Sequence, residues 1–375
     1  MEAYLDNSAT TPLCSKAREE MVNAIENIWG NPSSLHEKGI EADLLLKNAR
    51  KTLAGLLSCT EKEVVFTSGG TESNNLAVFG AAHANKRKGN RVITSAVEHP
   101  SVMKAFDRLE AEGFEVIRIP TDKKGFIDLD ALEKAVNDKT VLISIMAVNN
   151  EVGTIQPFEE LSKIAKRKAA PALIHVDAVQ AFGKIPLTPK KWGIDLMSVS
   201  SHKIHGPKGV GALFIKDGTK LSPVAAGGGQ ERDIRPGTEP MPAIAGFMGA
   251  MQQLKIKDSL VQLTQLRDYL VSGLSEREGI TVNSPENALP YIVNLSLVGL
   301  RSETVLNFLS DMEIYVSSGS ACSKGHKSPV LTAMGLDDSI IDSSLRVSMS
   351  RFTTKEQLDY FLQAIDTARK VIRKK

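Results

Sequence analysis

Four short segments of this 375-residue chain hold residue types that could do chemistry together. The first, Asp195-Leu196-Met197-Ser198-Val199-Ser200-Ser201-His202-Lys203, ends an apolar stretch in serines, a histidine and a lysine. A lysine in a tight loop near other cations and a phosphate loses affinity for its proton, which leaves free amine for imine formation. Lys208, the nearest competitor, sits inside a Gly-Pro-Lys-Gly turn, and in isolation either lysine reads as a solvated charge. The second segment, His175-Val176-Asp177-Ala178-Val179-Gln180, sets an acid at the end of another apolar run. A carboxylate there can pair with the ring nitrogen of pyridoxal phosphate, whose protonated ring is the stronger electron sink, or it can cap a helix. The third, Phe66-Thr67-Ser68-Gly69-Gly70-Thr71-Glu72, runs from a strand pattern through two glycines into a helix pattern. Its free N–H groups and the Thr71 hydroxyl suit a phosphate, to which Ser200 and His202 could also donate; a plain strand-to-helix turn has the same signature. No Gly-Lys-Ser/Thr follows, so it is not a P-loop.

The fourth segment, Ser317-Ser318-Gly319-Ser320-Ala321-Cys322-Ser323-Lys324-Gly325-His326-Lys327, is small, polar and basic. Its composition is that of a flexible stretch, and Lys324, His326 and Lys327 favour thiolate at Cys322, the form that attacks. Cys14 and Cys59 adjoin helical, partly apolar segments and read as packing residues. Three cysteines make neither a disulfide framework nor a zinc knuckle, so no metal is expected and a reducing compartment fits.

These segments need elements to position them. Strand patterns fall at 63–67, 91–95, 115–119, 141–147, 173–176, 195–199 and 211–215, and amphipathic helical patterns at 71–88, 101–112 and 158–168 lie between several of them. Such alternation predicts a mainly parallel sheet covered by helices on both faces, with ligands beyond the carboxyl ends of the strands. Upstream, Thr11-Pro12 reads as the cap of a helix running to Ile28. A second helix is expected over 35–57, burying Leu44, Leu45, Ala49, Leu53 and Leu56. One long helical stretch over 242–278 leads to a smaller α+β unit, with strands at 292–298 and 346–349 and helices at 302–311 and 354–373. The division expected is residues 13–255 for the large unit, and 1–12 with 256–375 for the small one.

Bulk composition narrows the function. The chain is 42% apolar with a formal net charge of +2, from 46 basic and 44 acidic residues. No large field is present to attract nucleic acid or an anionic membrane. No run of ~18 apolar residues occurs and the first twelve residues lack a signal-peptide core, so a cytoplasmic chain with no membrane and no direct nucleic-acid contact is expected.

In this order, the motifs resemble one family throughout nearly the whole chain. They are Tyr4-Leu5-Asp6-Asn7-Ser8-Ala9-Thr10-Thr11-Pro12, Gly30-Asn31-Pro32-Ser33-Ser34, residues 67–75, Glu98-His99 and Asn149-Asn150-Glu151-Val152-Gly153. Residues 175–180, Ser201-His202-Lys203, Arg235-Pro236-Gly237-Thr238, Gly319-Ser320-Ala321-Cys322 and 344–354 follow. The chain is similar to cysteine desulfurases of the NifS/IscS type, within the fold-type I, class V aminotransferase-like pyridoxal-phosphate enzymes.

The resemblance implies roles. Lys203 would anchor pyridoxal 5'-phosphate as an imine, His99 would stack on its ring and move protons, and Asp177 would pair with the ring nitrogen. Asn150 and Gln180 would contact the ring-oxygen side. Gly70, Thr71, Ser200 and His202 would hold the phosphate, with Thr238 reaching it from the neighbouring subunit of a homodimer. Arg346 would bind the carboxylate of L-cysteine, a task suited to a guanidinium fork. The implied reaction converts L-cysteine to L-alanine, moves sulfur onto Cys322 as a persulfide, and passes it to an acceptor protein. An iron–sulfur scaffold is the first expectation for that acceptor and a tRNA-thiolation or thiamin-pathway carrier the second. The basic stretch after Cys322 and the shorter connection to Arg346 depart from the housekeeping pattern and bear on that choice. Selenocysteine lyase and class V aminotransferase are the alternatives within the same chemistry, and a non-catalytic sulfur-carrier adaptor is the alternative outside it.

Overall fold

The computed structural model describes residues 1–318 and 327–372. Its centre is a seven-stranded sheet in the order Val64–Thr67, Gly211–Ile215, Leu196–Ser200, Leu173–Asp177, Thr140–Met146, Arg91–Ser95, Glu115–Ile119. The last five pair in parallel, and Gly211–Ile215 runs antiparallel to both of its neighbours. Thr140–Met146, Leu196–Ser200 and Gly211–Ile215 are buried at every residue, which is why their sequences are small or apolar on both faces, broken only by Thr140, Ser144, Ser198 and Ser200. Register sets the geometry of the site: Asp177 is level with Met146 and Ser198, and Ser200 is level with Gly211. Thr67, Ser200, Asp177, Met146 and Ser95 therefore end their strands on one edge of the sheet, the edge where ligands of such sheets sit.

Helix Gly70–Asn85 packs across the strands next to that edge. Helices Ser15–Asn27 and Glu37–Leu56 pack on Met241–Gln252, whose residues are buried on nearly every side. An antiparallel sheet, in the order Ser344–Ser348, Ile292–Leu297, Ile280–Val282, carries helices Ser302–Asp311 and Lys355–Val371. The amino terminus joins this part of the chain. Ala3–Tyr4 pairs in parallel with Ile314–Tyr315, and Asp6 bridges to Ser348.

Three expectations are corrected. The first helix begins at Ser15, after Cys14, and not at Thr11-Pro12. Thr11 is spent elsewhere: its Oγ1 donates to the His202 carbonyl at 2.9 Å and accepts the His205 N–H at 2.8 Å. In Glu37–Leu56, Leu44 is 54% exposed, because three consecutive leucines span too wide an arc of a 3.6-residue turn, and Leu45 and Leu46 take the core. The stretch over 242–278 is two helices, Met241–Gln252 and Ile256–Ser275. Leu254 turns inward against the core between them, and Arg351 Nη1 caps the Gln253 carbonyl at 3.0 Å.

Candidate active site

A cavity of about 300 Å³ opens at the carboxyl edge of the large sheet. Ten of the residues singled out from the sequence line it: Gly70, Thr71, His99, Asn150 and Asp177, with Gln180, Ser200, His202, Lys203 and Arg346. Thr238 does not. It is exposed in the loop before Met241–Gln252 and this chain alone brings it to no part of the cavity. Cys322 lies outside the described residues.

At one end the strand Val64–Thr67 turns sharply into helix Gly70–Asn85. Gly69 has φ +147°, which side-chain-bearing residues rarely adopt. At Gly70 a Cβ would stand 2.6 Å from Val179 Cγ2. The two glycines thus bring the helix start, with its free N–H groups, against the loop that follows Asp177. Ser200, 1% exposed, faces the same end, and His202 Nδ1 lies 3.1 Å from Thr10 Oγ1. Burial, then the charges of Lys203 and Lys208, push the His202 ring down to about 4, so it is neutral near pH 7.

At the other end Asp177 is held on both oxygens. Oδ1 accepts the Val179 N–H at 3.0 Å, and Oδ2 accepts from Asn74 Nδ2 at 2.7 Å. The helix-cap and ligand readings of this acid are therefore compatible, since the Asx turn leaves it in the cavity wall. Asn74 Nδ2 also donates to Ser101 Oγ at 2.9 Å, which turns the Ser101 hydroxyl hydrogen toward His99 Nδ1, 2.8 Å away. The Ser101 N–H adds a second donor to Nδ1 at 3.2 Å. Nδ1 is an acceptor, so the neutral His99 ring carries its hydrogen on Nε2. Burial holds the His99 pKa below its ordinary value, the nearby Asp177 charge opposes that, and Lys203 adds to it.

The lysine approaches from a third side. Lys203 ends the turn after Leu196–Ser200, and its Nζ donates to the Ser8 carbonyl and, at 2.8 Å, to the Ala9 carbonyl. Gln180 Nε2 shares the Ser8 carbonyl at 2.9 Å. The far wall comes from the antiparallel sheet. Arg346, 2% exposed, pairs with Asp6 Oδ1 at 2.8 Å and donates to the Asn150 carbonyl at 3.0 Å. The structural ion pair that an arginine beside a strand suggests is thus present, with the guanidinium at the cavity edge.

Sequence reasoning assigned no role to Asn74, Ser101, Glu98 or Lys184. Glu98 is buried in the wall, its Oε1 accepting from Ser95 Oγ at 2.5 Å and the Met146 N–H at 2.9 Å. Burial, with the Asp177 charge as a lesser cause, pushes its carboxyl up to about 8. The usable signal was adjacency: Glu98 precedes His99, and Asn74 lies one helical turn after Thr71.

The cavity tests its own occupant. Ser8 Oγ, Asn74 Oδ1, Glu98 Oε2 and Ser200 Oγ are buried side-chain oxygens without a hydrogen-bond partner, and all four residues line this one space. Orphaned polar atoms around a void fit a polar guest. A helix start and two hydroxyls at one end, a carboxylate at the other and an amine between them match a phosphate, a ring nitrogen and an aldehyde, the three functional ends of pyridoxal phosphate.

Fold and site together define a fold-type I pyridoxal-phosphate enzyme. Residues 3–361 match the family model described as "Aminotransferase class-V", so the chain belongs to that pyridoxal-phosphate-dependent family. Within it, the chain is 42% identical over 371 residues to "Cysteine desulfurase IscS" of Dictyoglomus turgidum, covering 97% of this chain and 94% of that protein. It is 44% identical over 367 residues to the protein of the same name from Methanosarcina thermophila, covering 96% and 90%. A solved "NIFS-LIKE PROTEIN" superposes with a TM-score of 0.94 at 39% identity, covering 99% of this chain and all of that one.

Proposed function

We propose that this chain is a cysteine desulfurase: it converts L-cysteine to L-alanine and moves the sulfur to Cys322 and then to an acceptor. The observation that carries this reading is one cavity that joins the Lys203 amine, the Asp177 carboxylate and the glycine-opened helix start, in a chain 42–44% identical to cysteine desulfurases. The cofactor, when bound, supplies an aldehyde for an amine and a ring that draws electrons from the substrate α-carbon.

The residues of the chain do the rest. Gly70 and Thr71 at the helix start, with Ser200 and His202, hold the phosphate. Asp177, fixed by Asn74, would pair with the ring nitrogen and favour its protonated form. Asn150 and Gln180 serve the ring-oxygen side. His99, in the cavity wall with its hydrogen on Nε2, would stack on the ring and move protons. Lys203 would hold the aldehyde end of the cofactor, and its amine is the base placed to take the substrate α-proton. Arg346 orients the substrate carboxylate. The Cys322 thiolate attacks the substrate sulfur, the C–S bond breaks, its electrons return to the carbon skeleton with a proton to give alanine, and Cys322 keeps the sulfur as a persulfide. The described residues on either side of Cys322 bond to cavity residues. Ser317 exchanges backbone hydrogen bonds with Arg346, and Ser328 Oγ donates to Glu151 Oε2 at 2.5 Å.

A homodimer completes the reading. Ile25, Trp29, Leu35, Ile40 and Leu44 expose apolar side chains on and between helices Ser15–Asn27 and Glu37–Leu56, Leu35 at 96%, a composition that suits an interface. Thr238, exposed and outside its own chain's cavity, is then available to the other one. Among the described residues no helix is long and apolar enough to cross a membrane. A cytoplasmic enzyme feeding an iron–sulfur scaffold is the setting that fits the IscS relatives.

The test is direct. Borohydride reduction of the pyridoxal-phosphate-loaded protein should fix the label on the peptide containing Lys203, and cysteine should yield equal alanine and sulfide when a thiol reductant is present. A keto acid in place of both products would favour an aminotransferase, and a label on another lysine would overturn the site.

A further inference from the structure

Lys184 has no part in the scheme above, yet it lies against it. It is 6% exposed, and among the described residues no carboxylate pairs with it. An ammonium buried without an anion is expensive and calls for a reason. Its Nζ donates to Gln180 Oε1 at 2.9 Å and sits 5.5 Å from the centre of the Tyr291 ring. Gln180 in turn donates Nε2–H to the Ser8 carbonyl at 2.9 Å, and that carbonyl also accepts from Lys203 Nζ. Two lysines are thus joined through one amide and one carbonyl.

The connection has a sense of direction. A donor at Oε1 fixes which way the Gln180 amide faces, because the flipped amide would set Nε2 against the Lys184 ammonium and Oε1 against the Ser8 oxygen. With the amide held, the Ser8 carbonyl is divided between two donors and is a weaker acceptor for the Lys203 ammonium. We propose that Lys184 is a positioning residue for Lys203, acting through Gln180 to set how strongly the Ser8 carbonyl holds the reactive amine. This rests on Lys203 being the imine-forming amine.

Charge works with the same sign. Lys203 and Arg346 face Lys184, together with the Tyr291 ring, and His202 and His205 feel its charge; His99, His202 and Lys184 face Lys203. Burial, then the Lys203 and Arg346 charges, push Lys184 down to about 7. Its ionisation therefore falls in the working pH range, and two amines this closely linked titrate as a pair. Loss of Lys184 removes a repelling charge and frees the Ser8 carbonyl, and both changes make Lys203 hold its proton more tightly.

The experiment uses the apo-protein and competitive acetylation by acetic anhydride, read at Lys203 by peptide mass spectrometry across pH. Lys184→Met, which keeps the length and removes the donor and charge, should slow Lys203 acetylation at pH 6, where Lys184 is charged, by about threefold to tenfold, a shift of about half to one pKa unit. Gln180→Leu, which frees the Ser8 carbonyl but leaves the Lys184 charge, should slow it less, and the double variant should lose less than the sum of the two single losses, because the amide path is shared. An unchanged rate in folded Lys184→Met, or fully additive losses in the double variant, overturns the proposal. Should Lys184→Met fail to fold, the wild-type profile decides: two inflections at Lys203 support the linkage and a single one overturns it. A borohydride label away from Lys203 would instead remove the reading of the site on which this inference stands.

Discussion

Asn74 donates Nδ2–H to Asp177 Oδ2 at 2.7 Å, and the same nitrogen donates to Ser101 Oγ at 2.9 Å. One amide near the start of helix Gly70–Asn85 thereby orients both the acid that ends strand Leu173–Asp177 and, through Ser101, the ring of His99. Asn74→Leu keeps the volume and removes both donors. Cofactor affinity should fall about tenfold or more, in line with a hydrogen bond to a charged group of about 1.5–3 kcal/mol. Spectrophotometric titration of the apo-protein with pyridoxal phosphate measures it, and unaltered affinity would show that Asp177 needs no such support.

Ser200 separates stability from binding. Its Oγ is buried and without a partner, so Ser200→Ala should leave the melting temperature of the apo-protein unchanged or slightly higher. The same variant should bind the cofactor roughly fivefold to tenfold more weakly, as expected for one neutral hydrogen bond of about 1 kcal/mol. Equal affinity of the two proteins would take Ser200 out of the phosphate site.

Glu98 gives the stability a pH slope. Its folded carboxyl is raised to about 8 from an ordinary 4.5, chiefly by burial, so the folded chain holds a proton that the unfolded chain releases. That contribution is full below about 4.5 and fades as pH rises toward about 8. Glu98→Gln keeps the neutral shape at all pH. Its melting temperature should track the wild type near pH 5 and rise progressively above it by pH 8. A difference independent of pH would mean that Glu98 is ionised in the folded chain.

Cys322→Ala should keep the absorbance of the cofactor–lysine imine near ~420 nm while protein-bound persulfide disappears. A trapping reagent followed by mass spectrometry reads the persulfide, and its formation at the wild-type rate would move the acceptor role to Cys14 or Cys59. Geometry speaks against both: Cys14 is buried, and burial pushes the Cys59 thiol up to about 12, far from thiolate at neutral pH.

Thr238→Ala should weaken cofactor binding only in the dimer. Leu35→Asp, which puts a charge on the exposed apolar face, should shift the protein toward monomer in sedimentation velocity and weaken the cofactor by the same factor. Monomer with undiminished affinity would separate the two subunits' sites.

The chemistry was legible where a sequence run ends a strand. Asp177, Ser200 and Lys203 follow buried apolar runs, and a parallel sheet brings such ends together whatever lies between them. Asn74 and Lys184 were not legible, because each works from inside a helical turn where its residue type is also common for bland reasons. Their meaning comes from partners 103 residues away in one case and from a path through Gln180 to Ser8 in the other. Leu44 was misread because periodicity alone cannot choose among adjacent leucines. The break at Gln253–Lys255 escaped notice because no glycine or proline marks it; the arginine that caps it comes from residue 351.

The threading of the amino terminus sets an order of events. Ala3 and Tyr4 find their strand partners only at Ile314 and Tyr315, and Asp6 meets Arg346 across 340 residues of chain. Ser8 and Ala9, whose carbonyls hold Lys203, lie in the turn that follows, where the Ser8 N–H donates to Ser348 Oγ. During synthesis residues 3–9 must wait for residues 314–348 before they can settle. A ribosome-bound chain with its large sheet already folded therefore holds the lysine without its two acceptors in place, and the pocket is finished only once residues 314–348 have been made.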